Sequence, residues 1–159
     1  MFRRAHRKFL AQLDSKAIEA AIREAERATT GEIRVVVLPR VRGGLEKAVK
    51  PAAEKLGMTR TKERNGVLIL VDPSRRTFLV WGDKAIHERV EAGFWKDVAA
   101  AIETRLREGD FTGGLVRGIE TAGRALAAHF PAGPGGNPNE SRGCPPGGIS
   151  SDPAPLTSR

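Results

Sequence analysis

Three side chains that carry oxygen donors stand next to short apolar runs typical of strands. Glu32 opens the run EIRVVVL, Asn65 is separated from VLILV by one glycine, and Asp83 follows TFLVWG. Two carboxylates and an amide oxygen are hard ligands of the kind that Ca²⁺ and Mg²⁺ prefer. Without a cation, two close carboxylates would repel each other, and one would take up a proton. The sequence therefore predicts a Ca²⁺ or Mg²⁺ site built by Glu32, Asn65 and Asp83 and supplemented by Glu63 and Glu88.

Phosphoryl-transfer chemistry is one reaction that such a site supports. A bound cation polarises a phosphoryl oxygen or activates a water. Asp83 would serve as a ligand or general base, and His87, one turn into the following helix, would donate a proton near neutral pH. The exposed N-terminus of that helix favours an anionic substrate. The sole cysteine, Cys144, lies near the C-terminus, and there is neither a G-x-S-x-G motif nor a P-loop, so the reaction would be metal-assisted hydrolysis.

Each candidate also has an alternative role in holding the fold together. The alternatives are a turn at Asn65-Gly66, a helix cap at Asp83, an ion pair of Glu32 with Arg34 or Lys84, and a surface position for His87. The residue types by themselves leave both sets of roles open.

The predicted strands explain how the candidates come together. Between Val67 and Trp81, two apolar runs flank DPSR, whose residues are typical of a turn, so this segment is predicted to be a hairpin. A helix lies between the strand that starts at Glu32 and the first hairpin arm, which implies a right-handed parallel crossover. This arrangement would deliver Glu32, Asn65 and Asp83 to one rim of the sheet.

Helical periodicity accounts for most of the remaining chain. It predicts helices from Ser15 to Ala28, Leu45 to Leu56, Lys84 to Val90, Phe94 to Leu106, and from Asp110 onward. The first hairpin arm is apolar at nearly every position, which suits a strand buried on both faces. The predicted fold class is therefore α/β, a three-layer α/β/α sandwich on a small mixed sheet, with the element order α-β-α-β-β-α-α-α.

The composition divides the chain into three parts. Residues 1–13 combine an apolar stripe with arginines, which predicts a basic helix or arm that either packs on the domain, the interpretation we favour, or docks on a membrane surface. Residues 14–130 form the predicted α/β/α domain. Residues 131–159 are rich in Pro, Gly and Ser and poor in apolar side chains, so this segment is predicted to be a disordered tail.

The net charge of +8 either serves solubility, the interpretation we favour, or attracts partners that carry negative charge. Phosphates, acidic proteins and anionic lipid all fit that description. Acidic and basic residues alternate along the helices and aromatic residues are few, which argues against nucleic-acid binding. No apolar run is long enough to span a membrane and no secretory signal is evident, so the sequence predicts a cytoplasmic location.

Four sequence blocks, taken in order, resemble the TPM domain family of YgcG-like bacterial proteins and thylakoid-lumen proteins linked to photosystem II repair. The blocks are TTGEIRVVV (29–37), KLGM (55–58), ERNGVLILVDPSRRTFLVWGDKAIHE (63–88) and LREGDFTGGLVRGI (106–119). The likeness covers Ser15 to His129. WGDKAIHE stands where better-known members carry a glycine-rich run, and a signal peptide and membrane anchor are lacking, so the chain resembles a soluble, stand-alone branch of the family.

The resemblance implies an α/β/α fold, calcium in some members and acid phosphatase activity. Together with the residues above, it predicts a binding domain for a divalent cation and an unidentified protein partner, with a role in membrane-protein maintenance. One alternative is a metal-assisted acid phosphatase of low activity that uses Asp83 and His87. Another is a peripheral domain that docks on an anionic membrane through residues 1–13.

Overall fold

Helices and strands follow each other in the predicted order, with one helix in front and one short strand behind. The computed structural model describes residues 2–39, 42–133 and 149–150. The helices are α1 (Phe2–Gln12), α2 (Ser15–Arg27), α3 (Leu45–Lys55), α4 (Lys84–Arg89), α5 (Phe94–Arg107) and α6 (Phe111–His129). The strands are β1 (Ile33–Val37), β2 (Val67–Asp72), β3 (Thr77–Gly82) and β4 (Ile149–Ser150), and a 3₁₀ turn covers Met58–Arg60.

The sheet is small and mixed, as the sequence predicts. Its strand order is β3-β2-β1-β4. β1 and β2 run parallel, with Ile33 opposite Val67, and α3 provides the crossover between them. β2 and β3 form the antiparallel hairpin, with Val67 opposite Gly82. The hairpin turn follows the carboxyl end of β2. It therefore lies at the opposite end of the strands from the amino ends of β1 and β2.

Helices cover both faces of the sheet. Side chains alternate between the two faces of a strand, so Val35 and Val37 of β1 join the core beneath α1, α2, α4, α5 and α6, whereas Val36 joins the core beneath α3 and the 3₁₀ turn. Every residue of β2 is buried, which explains why its sequence is an uninterrupted apolar run ending in Asp72. The three-layer α/β/α architecture is confirmed.

The helix α1 packs on the domain. Phe9 and Leu13 are buried in the core, and the Phe9 ring lies 5.0 Å from that of Phe111 between centroids. His6 is 7% exposed, and its Nε2 lies 2.9 Å from the carbonyl oxygen of Val37 at the end of β1. The apolar stripe that suggested a membrane helix is therefore used in the protein's own core.

The ordered chain continues beyond the predicted domain boundary at residue 130. Pro131 forms a bridge with Thr29, and the Ala132 backbone N–H donates to the Ala28 carbonyl. Within the segment predicted to be a disordered tail, β4 pairs parallel with β1. The rest of that segment beyond residue 133 lies outside the described residues, so its disorder stays a prediction. None of the helices described here has the length and apolar character needed to cross a membrane.

Candidate binding site at the amino ends of the parallel strands

The backbone brings the three predicted site residues to one edge of the sheet. We call this edge the amino rim and define it as the residues just before β1 and β2 and just after β3. The Val67 N–H donates to the Glu32 carbonyl at 2.7 Å, and the Asp83 N–H donates to the Gly66 carbonyl at 2.9 Å. Asn65 precedes Gly66 directly. Two parallel strands and one reversed neighbour produce this juxtaposition.

The side chains at the amino rim do not form one compact cluster. Glu32 directly precedes β1 and Asp83 directly follows β3, and these strands flank β2 on either side, so the two α-carbons are about 10 Å apart by the usual strand spacing. Gly66 stands between them, and a Cβ built on it would lie 3.0 Å from Met58 Cε. The Met58 side chain thus covers the gap. In the described part of the chain, no three carboxylate, histidine or cysteine side chains gather in a way that could hold a metal ion.

Glu32 forms an ion pair on its own strand. Arg34 Nε donates to Glu32 Oε1 at 2.7 Å, and the Glu32 residue is 9% exposed. Residues two apart on a strand point to the same face, which brings the two side chains together. Of the two ion pairs that the sequence suggested for Glu32, the one with Arg34 is formed.

Asp83 is held by a guanidinium and by a helix. Arg64 Nε donates to Asp83 Oδ2 at 2.7 Å, and Arg64 Nη2 donates to Oδ1 at 2.8 Å. The Lys84 backbone N–H also donates to Oδ1. Asp83 therefore caps α4, which is the structural role that the sequence offered for it. The hydrogen bond to Asp83, followed by its negative charge, raises the pKa of the Arg64 guanidinium, against a smaller lowering by desolvation.

Sequence reasoning missed Arg64. Its backbone adopts a left-handed conformation (φ 53°), which is uncommon for a residue with a side chain. The chain therefore turns at Arg64, whose N–H donates to the Thr61 carbonyl, one residue before the Asn65-Gly66 pair that the sequence offered as an alternative turn. The left-handed backbone and the basic side chain together direct the guanidinium onto Asp83. No sequence motif signals that conformation at an arginine.

Asn65 belongs to a second group with Thr30 and Glu63. Asn65 Nδ2 donates to Thr30 Oγ1 at 3.0 Å and to Glu63 Oε2 at 3.2 Å, and the Thr30 hydroxyl donates to the same Glu63 oxygen. Asn65 is 2% exposed, while Glu63 is exposed. Thr30 was not among the predicted site residues, although it lies two residues before Glu32 in the TTGE block.

His87 is not positioned beside the Asp83 carboxylate by any hydrogen bond of the described residues. Its backbone N–H donates to the Asp83 carbonyl at 2.9 Å, as expected one turn into α4. Its ring is stacked on Trp95, with centroids 6.2 Å apart and planes inclined by 17°. His87 and Glu88 are both exposed. The general-acid role predicted for His87 has no geometric support beyond its position in the helix.

Comparisons with known proteins match most of the chain. The family model described as TPM domain matches residues 4–125. The chain is also similar to the NMR structure of the BA42 protein from the psychrophilic bacterium Bizionia argentinensis, with 36% identity and a TM-score of 0.76. That likeness covers 86% of this chain and 92% of the other. No curated protein matches the chain.

Proposed function

This chain belongs to the TPM domain family, and we propose that it acts as a binding module that takes up a divalent cation, Ca²⁺ or Mg²⁺, at the amino rim and docks on a protein partner. The observation that supports the cation proposal is the placement of oxygen-bearing residues from three separate segments along this one rim. Carboxylate and amide oxygens are the donor types that these cations select.

Three of these side chains retain an oxygen outside the bonds described above. Arg34 engages only Oε1 of Glu32, and Thr30 and Asn65 engage only Oε2 of Glu63. Asn65 uses its amide nitrogen as the donor, which leaves its carbonyl oxygen as an acceptor. Glu32, Glu63 and Asn65 would therefore supply the protein ligands, and water would complete the coordination. Of the three residues, Glu32 and Asn65 are buried and Glu63 is exposed, so Glu63 is the one that a cation in solution meets first.

Asp83 differs from these three residues because Arg64 and the Lys84 N–H already use both of its oxygens. As a ligand, Asp83 would have to exchange the Arg64 guanidinium for the metal. Arg64 is thus a competitor for any cation that approaches Asp83. Removing the Arg64 guanidinium should therefore change cation affinity only if Asp83 is a ligand.

Calorimetric titration with Ca²⁺ and Mg²⁺ tests the cation proposal. We expect Glu63→Gln to weaken binding, because it removes a negative ligand, and Asp97→Asn, a matched loss of an exposed carboxylate on α5, to leave binding unchanged. Arg64→Gln should strengthen binding if Asp83 is a ligand and should have no effect if it is not. Absence of binding heat in the wild type, together with an unchanged melting temperature at millimolar metal, would contradict the proposal.

The phosphatase and membrane-docking alternatives lack a supporting observation. Asp83 is engaged in an ion pair, and the His87 ring is stacked on Trp95. The apolar side of α1 is buried. Hydrolysis of an aryl phosphate that fell in Asp83→Asn and His87→Gln relative to wild type would reopen the enzymatic alternative.

A further inference from the structure

The edge of the sheet opposite the amino rim collects basic side chains from three segments. We call it the carboxyl rim and define it by the ends of β1 and β2, the hairpin turn, and the part of α1 around His6. The Leu38 N–H donates to the Val71 carbonyl at 2.8 Å, and His6 contacts the Val37 carbonyl. These contacts bring the part of α1 around His6 and the carboxyl ends of β1 and β2 together at one end of the sheet, where β2 runs into the hairpin turn.

Six exposed cations in the described part of these segments make up the basic surface of this rim, and Lys8 on α1 is a further exposed cation. The six are Arg4 and Arg7 on α1, Arg42 before α3, Lys47 in the first turn of α3, and Arg75 and Arg76 in the hairpin turn. The Lys47 side chain folds back over the loop, since a Cβ built on Gly43 would lie 2.7 Å from Lys47 Cδ. The aliphatic part of the Lys47 side chain therefore lies against Gly43, just before α3.

The turn that carries two of these arginines has a defined conformation. Asp72 is fully buried, and its Oδ1 accepts hydrogen bonds from the Ser74 N–H at 3.0 Å, the Ser74 hydroxyl at 2.6 Å and the Arg75 N–H at 3.3 Å. Arg76 adopts a left-handed backbone with φ 53°. Arg75 and Arg76 are thus presented from a fixed backbone.

The two rims differ in whether their basic side chains are paired with acidic ones. At the amino rim, Arg34 and Arg64 are paired with Glu32 and Asp83. None of the six cations of the carboxyl rim takes part in an ion pair of the described residues. The acidic residues of the same segments are the buried Asp72 and the exposed Glu46. The carboxyl rim therefore presents an excess of uncompensated positive charge.

We propose that the carboxyl rim is the docking surface for an acidic protein partner. This inference specifies the partner of the proposed binding module but does not depend on the cation. Five of the six cations are arginines, whose planar forks match carboxylates bidentately. A membrane surface is less well matched, because Phe9 and Leu13, two of the apolar side chains that residues 1–13 would insert, are buried in the core.

A binding titration with a fluorescently labelled polyglutamate peptide, at low salt and with EDTA present, tests this inference. The rim variant is Arg42→Gln/Lys47→Gln/Arg75→Gln. The matched control, Lys16→Gln/Arg23→Gln/Lys96→Gln, removes the same charge from exposed positions on α2 and α5. We expect about tenfold weaker binding in the rim variant, as three surface ion pairs would contribute, and little change in the control.

A second variant, Arg42→Lys/Arg75→Lys, retains the charge and keeps the test informative if the triple variant is poorly folded. We expect it to bind the peptide more weakly than wild type, because lysine lacks the guanidinium fork. Equal losses in the rim and control triples would overturn the proposal, since net charge alone would then explain binding. So would tighter, rim-dependent binding to phosphatidylserine vesicles or to an oligonucleotide. EDTA makes the result independent of the cation proposal.

Discussion

Asp83 illustrates how one side chain can satisfy a functional motif and a structural one at once. Its carboxylate stands where the sequence predicts a ligand or base, yet it caps α4 and pairs with Arg64. An almost fully buried carboxylate needs such partners, because burial without them is costly. The residue type and its place after a strand were predictable. Its actual partner was not, because Arg64 reaches it through an unusual backbone conformation.

At the residue scale, two substitutions of Asp83 distinguish how its helix cap and its negative charge each contribute to stability. Asp83→Asn removes the charge but retains an oxygen that can accept from the Lys84 N–H, whereas Asp83→Ala removes both. We expect Asp83→Ala to be less stable than Asp83→Asn by about 1 kcal/mol, a typical value for a helix cap. Urea unfolding measures the difference.

Asp14 provides the control for the loss of charge at a cap. It caps α2 by accepting from the Ala17 N–H and is exposed. Asp14→Asn should therefore change stability less than Asp83→Asn does. Equal stabilities of the two Asp83 variants would mean that the cap contributes nothing to the fold.

At the scale of elements, the hairpin and helix predictions hold because local patterns dominate them. Turn chemistry at DPSR and the apolar runs on either side determine β2 and β3. Pro51 runs against the local pattern of α3, since a proline inside a helix usually kinks or interrupts it. The structure keeps α3 as one helix from Leu45 to Lys55. Burial of Ala48, Val49, Ala52 and Ala53 against the sheet offsets the cost of the proline.

Packing between β3 and α5 depends on a glycine at the strand end. A Cβ built on Gly82 would lie 2.2 Å from Trp95 Cη2 and 2.3 Å from Cζ2, so the indole ring fills the space of a side chain. We expect Gly82→Ala to destabilise the protein by about 1–3 kcal/mol, the range for overpacking. Tryptophan fluorescence during urea unfolding reports both the stability and the environment of the ring.

Gly93 is the matched control for this substitution. It lies just before α5 with a helical backbone, and a Cβ built on it would have nothing within 4 Å. Gly93→Ala should leave stability unchanged or raise it slightly, because alanine restricts the unfolded chain. A Gly82→Ala protein as stable as Gly93→Ala would show that Trp95 can move aside without cost.

At the scale of the whole molecule, α1 is the test of where the domain begins. Phe9 and Leu13 are buried in the same core as side chains of α2 and α6, which agrees with the favoured interpretation that residues 1–13 pack on the domain. Deleting residues 1–13 should cost about 3–6 kcal/mol, from the burial of one Phe and one Leu. Thermal unfolding of the truncated chain checks this.

The double variant Arg4→Gln/Arg7→Gln is the control for that deletion. It removes charge from the exposed side of α1 and leaves the buried side chains in place, so its stability should match the wild type. An unchanged melting temperature after deletion of residues 1–13 would instead identify the segment as an independent arm.

Sequence alone determined the layers, the hairpin and the rim at which Glu32, Asn65 and Asp83 meet. These features follow from periodicity, turn residues and the handedness of parallel crossovers, all of which act over short stretches of chain. The ion pair of Glu32 with Arg34 was among the alternatives that the sequence offered, whereas tertiary structure alone decided that Asp83 contacts Arg64, that Asn65 contacts Thr30 and Glu63, and that Ile149–Ser150 pairs with β1. Hydrogen bonds and ion pairs depend on positions within a few tenths of an ångström, which residue type and spacing do not specify.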